Sequence, residues 1–247
     1  MKLKVLGSSS KGNSYLLQTG TVTLILDAGI RFRDIQQSLG FDLSQVVGSL
    51  VTHEHLDHSK AVRDLVTAGV DVYTSLGTAC SIGLDQHHRM HYAHNGIQFE
   101  LNDFTILPFG IEHDCVEPLG YLIQYRPTGE KLLFATDTYF LRYRFPKLNY
   151  ILIECNYILE ILKANIDAGL IPESLKNRLL ESHFSLDNVK GFLKANDLSE
   201  VRKLILIHLS DGNSDAGRMV SEIQELTKIE TVAAAPGMEI ELELYPF

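Results

Sequence analysis

Five apolar runs in this chain stop on an acid or a histidine, and that repeated stop limits the folds open to it. The runs are TVTLILDAG, VVGSLVT leading into THEHLDH, DFTILPFGIEH, KLLFATD and KLILIHLS. Short apolar runs bounded in this way read as strands. Strand ends at one edge of a sheet converge in space, and that is where α/β proteins assemble their sites. Asp27, the His53–His58 segment, His113, Asp137 and His208 are therefore expected along a common edge.

Further strands are expected at KLKVL, SYLLQ, VDVYTS, IQFEL, LGYLIQYR, YILIECN and ETVAAA, with turns at SSSKGN, QTG and Pro127–Gly129. FRDIQQSLG reads as a short helix closed by Gly40, HSKAVRDLVTAG as one helix ending at Gly69, and LGTACSIGL as a weak one. Later helices are expected at roughly 157–169, 172–182, 186–196 and 214–228. No linker, repeat or low-complexity tract interrupts the pattern, so residues 1–247 read as a single domain. Each half runs from strands to helices, which predicts an α/β chain of two βα layers packed sheet against sheet.

Composition excludes several classes of function. Charged residues are 21% of the chain and form no long blocks, while hydrophobic residues are 45%, enough for a sizeable core. A net charge of −9 argues against a broad basic face, though a local basic track stays open. Cys80, Cys115 and Cys155 have no CxxC spacing and are odd in number, so no disulfide framework is expected and a reducing cytoplasm is the simplest location. Cys115 reads as a small core residue. The N-terminus has no apolar signal region, and no apolar run reaches the length of a membrane span.

THEHLDH carries the chemistry. His53 and His55 are two apart, so in extended chain they point the same way. Asp57 and His58 follow in a tight turn entering a helix and can face a second point nearby. Neutral imidazoles and carboxylates are natural ligands of zinc, manganese or iron. The pattern is HxHxDH and not the HExxH of metalloproteases. The competing reading is a crowded, solvated turn.

At these residues the chain resembles the metallo-β-lactamase superfamily, over nearly its whole length. TVTLILDAG is similar to the motif whose Asp27 orients the site from behind the ligands, and THEHLDH to the HxHxDH signature. IEHDC, FATDT and LIHLSDGN supply the remaining ligand positions. The resemblance implies an αβ/βα sandwich: two mixed β-sheets flanked by helices, four layers deep. It also implies that His53, His55 and His113 hold one divalent ion, that Asp57, His58 and His208 hold a second, and that Asp137 bridges them. Two such ions activate a water for hydrolysis and clamp the attacked group. Asp57 is then a candidate for orienting or deprotonating that water.

The C-terminal third narrows the branch. IECNY, SHFSLDN and HLSDGN, with GSSSKGNSYLL and HDCVEPLGYLI, look most like the single-domain YycJ-type and ribonuclease Z-like members, often described as nuclease-like. By that likeness Glu154 supports His183, which protonates the leaving oxygen or holds a phosphate. The alternative is that Ser182 or Ser185 caps the following helix and His183 merely packs there. Phe184 and the Asp-rich HLSDGN depart from the usual pattern, and the exosite arm of ribonuclease Z and the β-CASP insert are absent. Lys11 is a candidate phosphate contact or a simple turn lysine. TYFLRYRFPKLNY mixes Arg142, Arg144 and Lys147 with aromatics; it suits a polyanion, or else is a helix-like connection with an aromatic core face. HHRMHYAHN reads as a surface loop or lid. The expected function is a dinuclear metal-dependent phosphodiesterase acting on DNA or RNA. The alternatives are a hydrolase of small esters, thioesters or cyclic phosphodiesters, and a non-catalytic metal-binding protein.

Overall fold

Leu204, Ile205, Leu206 and Ile207 are all fully buried, so the strand they form is covered on both faces. In the computed structural model, which describes residues 1–243 apart from the side chains of 173–175, that strand lies inside one of two seven-stranded sheets. The strands are β1 (Lys2–Ser9), β2 (Gly12–Gln18), β3 (Thr23–Leu26), β4 (Val46–Leu50), β5 (Val72–Thr74), β6 (Met90–Tyr92), β7 (Phe99–Leu101), β8 (Phe104–Gly110), β9 (Leu119–Tyr125), β10 (Lys131–Ala135), β11 (Tyr150–Glu154), β12 (Lys203–Ile207), β13 (Glu230–Ala233) and β14 (Glu239–Glu241). The helices are α1 (Phe32–Ser38), α2 (Leu56–Ser59), α3 (Val62–Thr67), α4 (Leu76–Ser81), α5 (Leu159–Asp167), α6 (Glu173–Ser182), α7 (Leu186–Ala195) and α8 (Ala216–Thr227). The first sheet has the order β14-β1-β2-β3-β4-β5-β6 and the second β13-β12-β11-β10-β9-β8-β7.

Alternation along the strands builds three apolar layers. Leu132 and Phe134 face the first sheet, where they join Leu3, Tyr15, Leu24 and Leu50. Leu133 and Ala135 face outward and pack with Phe192, Met219 and Ile223 of α7 and α8. On the far side Ile25, Val51 and Val72 pack with Ile35, Val62 and Leu65 of α1 and α3. The result is the expected αβ/βα sandwich of two mixed sheets. α7 shows how a flanking helix is set: the Ser185 hydroxyl caps it by accepting from the Asn188 N–H, and Leu186, Val189, Phe192 and Leu193 form its buried stripe.

Both sheets run parallel where the site forms. β3 to β6 are parallel, as are β10 to β13. Their C-terminal ends put Asp27, Thr52–His53, Asp137, Cys155 and His208 just past the last paired residues, and Glu154 at the last paired position of β11, opposite Ile207. Asp27, Asp137 and His208 all have positive φ, of 55°, 45° and 53°. Left-handed backbone at non-glycine residues is uncommon, and it turns each side chain sharply off its strand.

Several elements differ from the sequence reading. HSKAVRDLVTAG is two short helices, α2 and α3, broken at Lys60–Ala61. Only Ser10 and Lys11 of SSSKGN form the turn, because Ser9 and Gly12 are already paired. The 138–149 connection is irregular and not helix-like; Leu141, Phe145 and Leu148 are buried while Tyr139 and Phe140 are exposed. HHRMHYAHN is not a free loop or lid: Met90–Tyr92 forms the edge strand β6, and His91 stacks on Tyr73 with its Nε2 3.2 Å from Asp71. β14 was not anticipated; it pairs antiparallel with β1, Leu3 opposite Ile240, and returns the chain to the first sheet.

The Asp27–Gly29 turn locks these parts together. Ala28 N–H donates to the His58 carbonyl at 2.8 Å, and Ala61 N–H donates to the Ala28 carbonyl at 2.8 Å. A Cβ on Gly29 would fall 1.6 Å from the Asp57 carbonyl oxygen and 2.7 Å from the His58 nitrogen. Gly29→Ala must therefore push the turn off α2. We expect a loss of roughly 1–3 kcal/mol, the scale of overpacking, seen as a lowered thermal midpoint together with weakened metal uptake.

Candidate metal centre

Asp137 is the hinge of the arrangement. Its Oδ2 lies 3.8 Å from His53 Nε2 and 3.6 Å from His113 Nε2. Its Oδ1 lies 3.2 Å from His58 Nε2 and 3.3 Å from His208 Nδ1. One carboxylate thus turns an oxygen to each of two clusters. In the first, the nitrogens of His53, His55 and His113 lie within 4.8 Å of one another; in the second, the ligand atoms of Asp57, His58, Asp137 and His208 do. His113 Nε2 is 3.2 Å from His55 Nδ1, and Asp57 Oδ2 is 3.5 Å from His58 Nε2 and 3.4 Å from His208 Nε2. All seven predicted ligand positions meet here, from residue 53 to residue 208.

The ring orientations are fixed from behind. Asp27 accepts from the Thr52 N–H and hydroxyl and from His58 Nδ1 at 2.7 Å, which leaves His58 Nε2 facing the cluster. His113 Nδ1–H donates to the Ser182 carbonyl at 2.9 Å. A carboxylate or carbonyl behind an imidazole sets its tautomer and raises its basicity as a ligand. Within the site, the buried His53 Nε2 and His208 Nε2 make no well-formed hydrogen bond; each only faces a carboxylate oxygen, of Asp137 at 3.8 Å and of Asp57 at 3.4 Å. Buried polar atoms are normally satisfied, so these two, among neutral imidazoles and carboxylates, fit a divalent cation of the zinc, manganese or iron type.

Glu154 lies fully buried at the end of β11. Its Oε1 accepts from His183 Nδ1 at 2.6 Å and His208 Nδ1 at 2.9 Å, and its Oε2 from the N–H groups of Thr138 and Phe184. The expected Glu154–His183 pairing is present. Ser185, not Ser182, is the helix cap, so capping and the pairing coexist. Phe184 is buried in the outer core, which accounts for its bulk.

The cleft over the site has a volume of about 400 Å³ and is lined by His55, Asp57, His113, Asp137, His183 and His208. Arg178 of α6 also lines it, 3.0 Å from Asp114, and was missed from sequence. Its one signal was its place five residues before His183. Asn13 was missed as well: it is buried, with its side-chain nitrogen 3.1 Å from His58 Nε2. Lys11 pairs with Asp211 at 2.7 Å beside Ser10 and Ser210, two further residues of the lining. Arg142 pairs with Glu112, and neither it nor Arg144 lines this cleft. Cys115 is half-buried and lies outside the apolar clusters, not in the core as expected, because it sits in the irregular stretch after His113.

Burial and neighbouring charge set the protonation. Burial lowers the pKa of His53, and the nearby His58 lowers it further, to well below the ordinary value; burial also lowers that of His113. At His58 burial opposes the charge, yet Asp137 and Asp27 overcome it and hold the pKa well above normal. At His208 burial is likewise outweighed, by Asp137 and by the carboxylates of Asp57 and Glu154 beside it, and the pKa rises to about 10. Each raised pKa stabilises the metal-free fold. That stabilisation is complete below about pH 6.5, the unfolded value, and for His208 is lost as pH climbs through about 10. Metal must displace these protons. Loading at pH 7 should release about two protons, from His58 and His208, with affinity falling as pH is lowered. Titration calorimetry in buffers of different ionisation enthalpy measures this; zero release would contradict the assignment.

Residues 23–209 match the family model described as Beta-lactamase superfamily domain. Over 264 residues the chain is 28% identical to the exodeoxyribonuclease WalJ of Streptococcus pneumoniae, covering 99% of this chain and 93% of that one. It is 27% identical to the exodeoxyribonuclease YycJ of Bacillus anthracis over 243 residues, 91% of this chain and 89% of that one. Among solved structures, the metallo-beta-lactamase fold protein YhfI from Bacillus subtilis superposes with a TM-score of 0.75 at 14% identity, over 97% of this chain and 98% of that one. No helix among the described residues is long and apolar enough to cross a membrane. With more than half of its length matched and its histidines gathered where two helix-flanked sheets meet, the chain belongs to the metallo-β-lactamase superfamily.

Proposed function

We propose that this chain is a metal-dependent phosphodiesterase that degrades DNA, working as one domain over residues 1–247. The observation that carries the reading is the division of Asp137 between the two clusters, one oxygen to each. His53, His55 and His113 would hold one divalent ion, Asp57, His58 and His208 a second, and Asp137 both; zinc, manganese and iron all suit these donors. Such ions, when bound, activate water and neutralise charge on the attacked diester.

The chain's own groups supply the rest. Asp57 keeps its carboxylate ionised through the adjacent His208 and His58, whose influence outweighs its burial, and it faces the cleft. It is suited to orient the attacking water and take its proton. His183 has a raised pKa because Glu154 outweighs the effect of burial, so it holds a proton more readily than an ordinary histidine. With Nδ1 committed to Glu154, its other ring nitrogen can protonate the leaving oxygen. Arg178 and Lys11, each paired with an aspartate, bring positive groups to the cleft mouth of a chain whose net charge is −9.

The names of the WalJ and YycJ relatives support DNA as the substrate class. Three cysteines without disulfide partners suit a reducing cytoplasm. A second reading, hydrolysis of small esters, thioesters or cyclic phosphodiesters, draws on the net charge of −9. Manganese- or zinc-loaded protein offered labelled single- and double-stranded DNA, bis-p-nitrophenyl phosphate and a thioester separates the two. Release of nucleotides from DNA is the expected result; cleavage of the small compounds alone would overturn it.

Three variants test the roles. Asp137→Ala or His208→Ala should lose bound metal and activity together. His183→Ala should keep its metal by elemental analysis, lose about 10²–10⁴-fold in kcat, the scale of general acid catalysis, and lose the alkaline limb of the pH profile.

A further inference from the structure

Beside the metal cleft, the 139–144 segment and α7 enclose a second, largely apolar groove. It has a volume of about 520 Å³. Tyr139, Phe140 and Tyr143 supply aromatic surface; Arg144 and Arg142, the latter paired with Glu112, bring guanidinium groups, and Asp187 adds a carboxylate to the lining. Phe140 is 55% exposed and Tyr139 37%, unusual for large apolar rings on a folded surface.

The groove and the cleft are lined by neighbouring stretches of chain. Asp137, the shared carboxylate, is two residues before Tyr139, and His183 is followed directly by Phe184, which lines the groove. The wall is held rigidly: Asn188 Nδ2–H donates to the Tyr139 carbonyl at 3.1 Å, and Asn196 Oδ1 accepts from the Phe145 N–H at 2.9 Å.

Gly191 forms part of the groove and lies inside α7, where glycine weakens a helix. A Cβ added there would meet nothing within 4 Å, so no packing demands the missing side chain. What its absence does is leave the groove open.

We propose that this groove is a base-binding subsite, which takes an unpaired nucleobase of a DNA strand whose phosphodiester lies in the neighbouring cleft. The inference rests on the phosphodiesterase reading above and adds that the preferred substrate is single-stranded or frayed. Aromatic faces with guanidinium groups alongside suit a base and its phosphate, and base–aromatic stacking tolerates any sequence. A paired base cannot enter, because its faces are already stacked in the duplex.

The test compares three ligands on metal-loaded wild-type protein by fluorescence anisotropy: a phosphorothioate-linked single strand, which resists cleavage, the same strand with abasic sites, and a blunt duplex. The intact single strand should bind at least about five-fold more tightly than the abasic strand, from the lost stacking, and more tightly than the duplex. Gly191→Leu, which fills the groove, should bring the intact strand down to the abasic level. Equal binding of intact and abasic strands by the wild type, or duplex binding as tight as single-strand binding, would overturn the proposal without reference to any variant. Failure of the phosphodiesterase reading shows separately, as absent turnover of bis-p-nitrophenyl phosphate by the wild type.

Discussion

A single buried carboxylate, Asp137, organises this molecule's chemistry. An ionised carboxylate away from water is strongly unfavourable unless its oxygens are paired. Here both are answered by imidazoles from opposite sides. The surrounding fold serves that pairing. Two parallel strand sets end at one edge, left-handed residues turn the side chains inward, and a further set of carboxylates and carbonyls aims the rings. The backbone strain at Asp27, Asp137 and His208 is tolerable because each is bound on several sides.

Electrostatics divides the histidines into two kinds. Those with acids behind them, His58 and His208, carry protons in the metal-free chain; His53 and His113 do not. Glu154 raises the pKa of His183 as well, and His183 stands in the cleft wall, where a proton it holds is available for chemistry. Glu154 thereby connects a ligand position to a candidate acid through one oxygen atom.

Much of this was legible in the sequence for a physical reason. A strand that stops on His or Asp announces both its own end and the polar group placed there, so the positions of Asp27, His53, Asp137 and His208 could be read without a structure. The HxHxDH spacing carried the local geometry, since alternate residues of extended chain share a face. Other parts were not legible. β14 alternates charged and apolar residues and has only three paired positions, so pairing with β1 across the whole chain defines it, not its own pattern. The 138–149 connection looks helical in composition, but its course is set by Phe145 and Leu148 entering a core made by distant strands. Arg178 and Asn13 reach the site from a helix and from the second strand of the chain, and nothing in their neighbours' identity marks them.

The line of contact between the sheets carries a mechanical implication. Each cluster draws members from both sides: His53 and His55 follow a strand of the first sheet while His113 follows one of the second, and Asp57 and His58 face Asp137 and His208. The sheets act as the two jaws of a vice whose grip is a layer of hydrocarbon, with Tyr15 of one meeting Phe134 of the other edge to face at 5.9 Å. Any slippage of that layer would part both clusters in one movement. Precision at the reacting end is thus inherited from tight packing in the interior, well removed from any polar atom of the site.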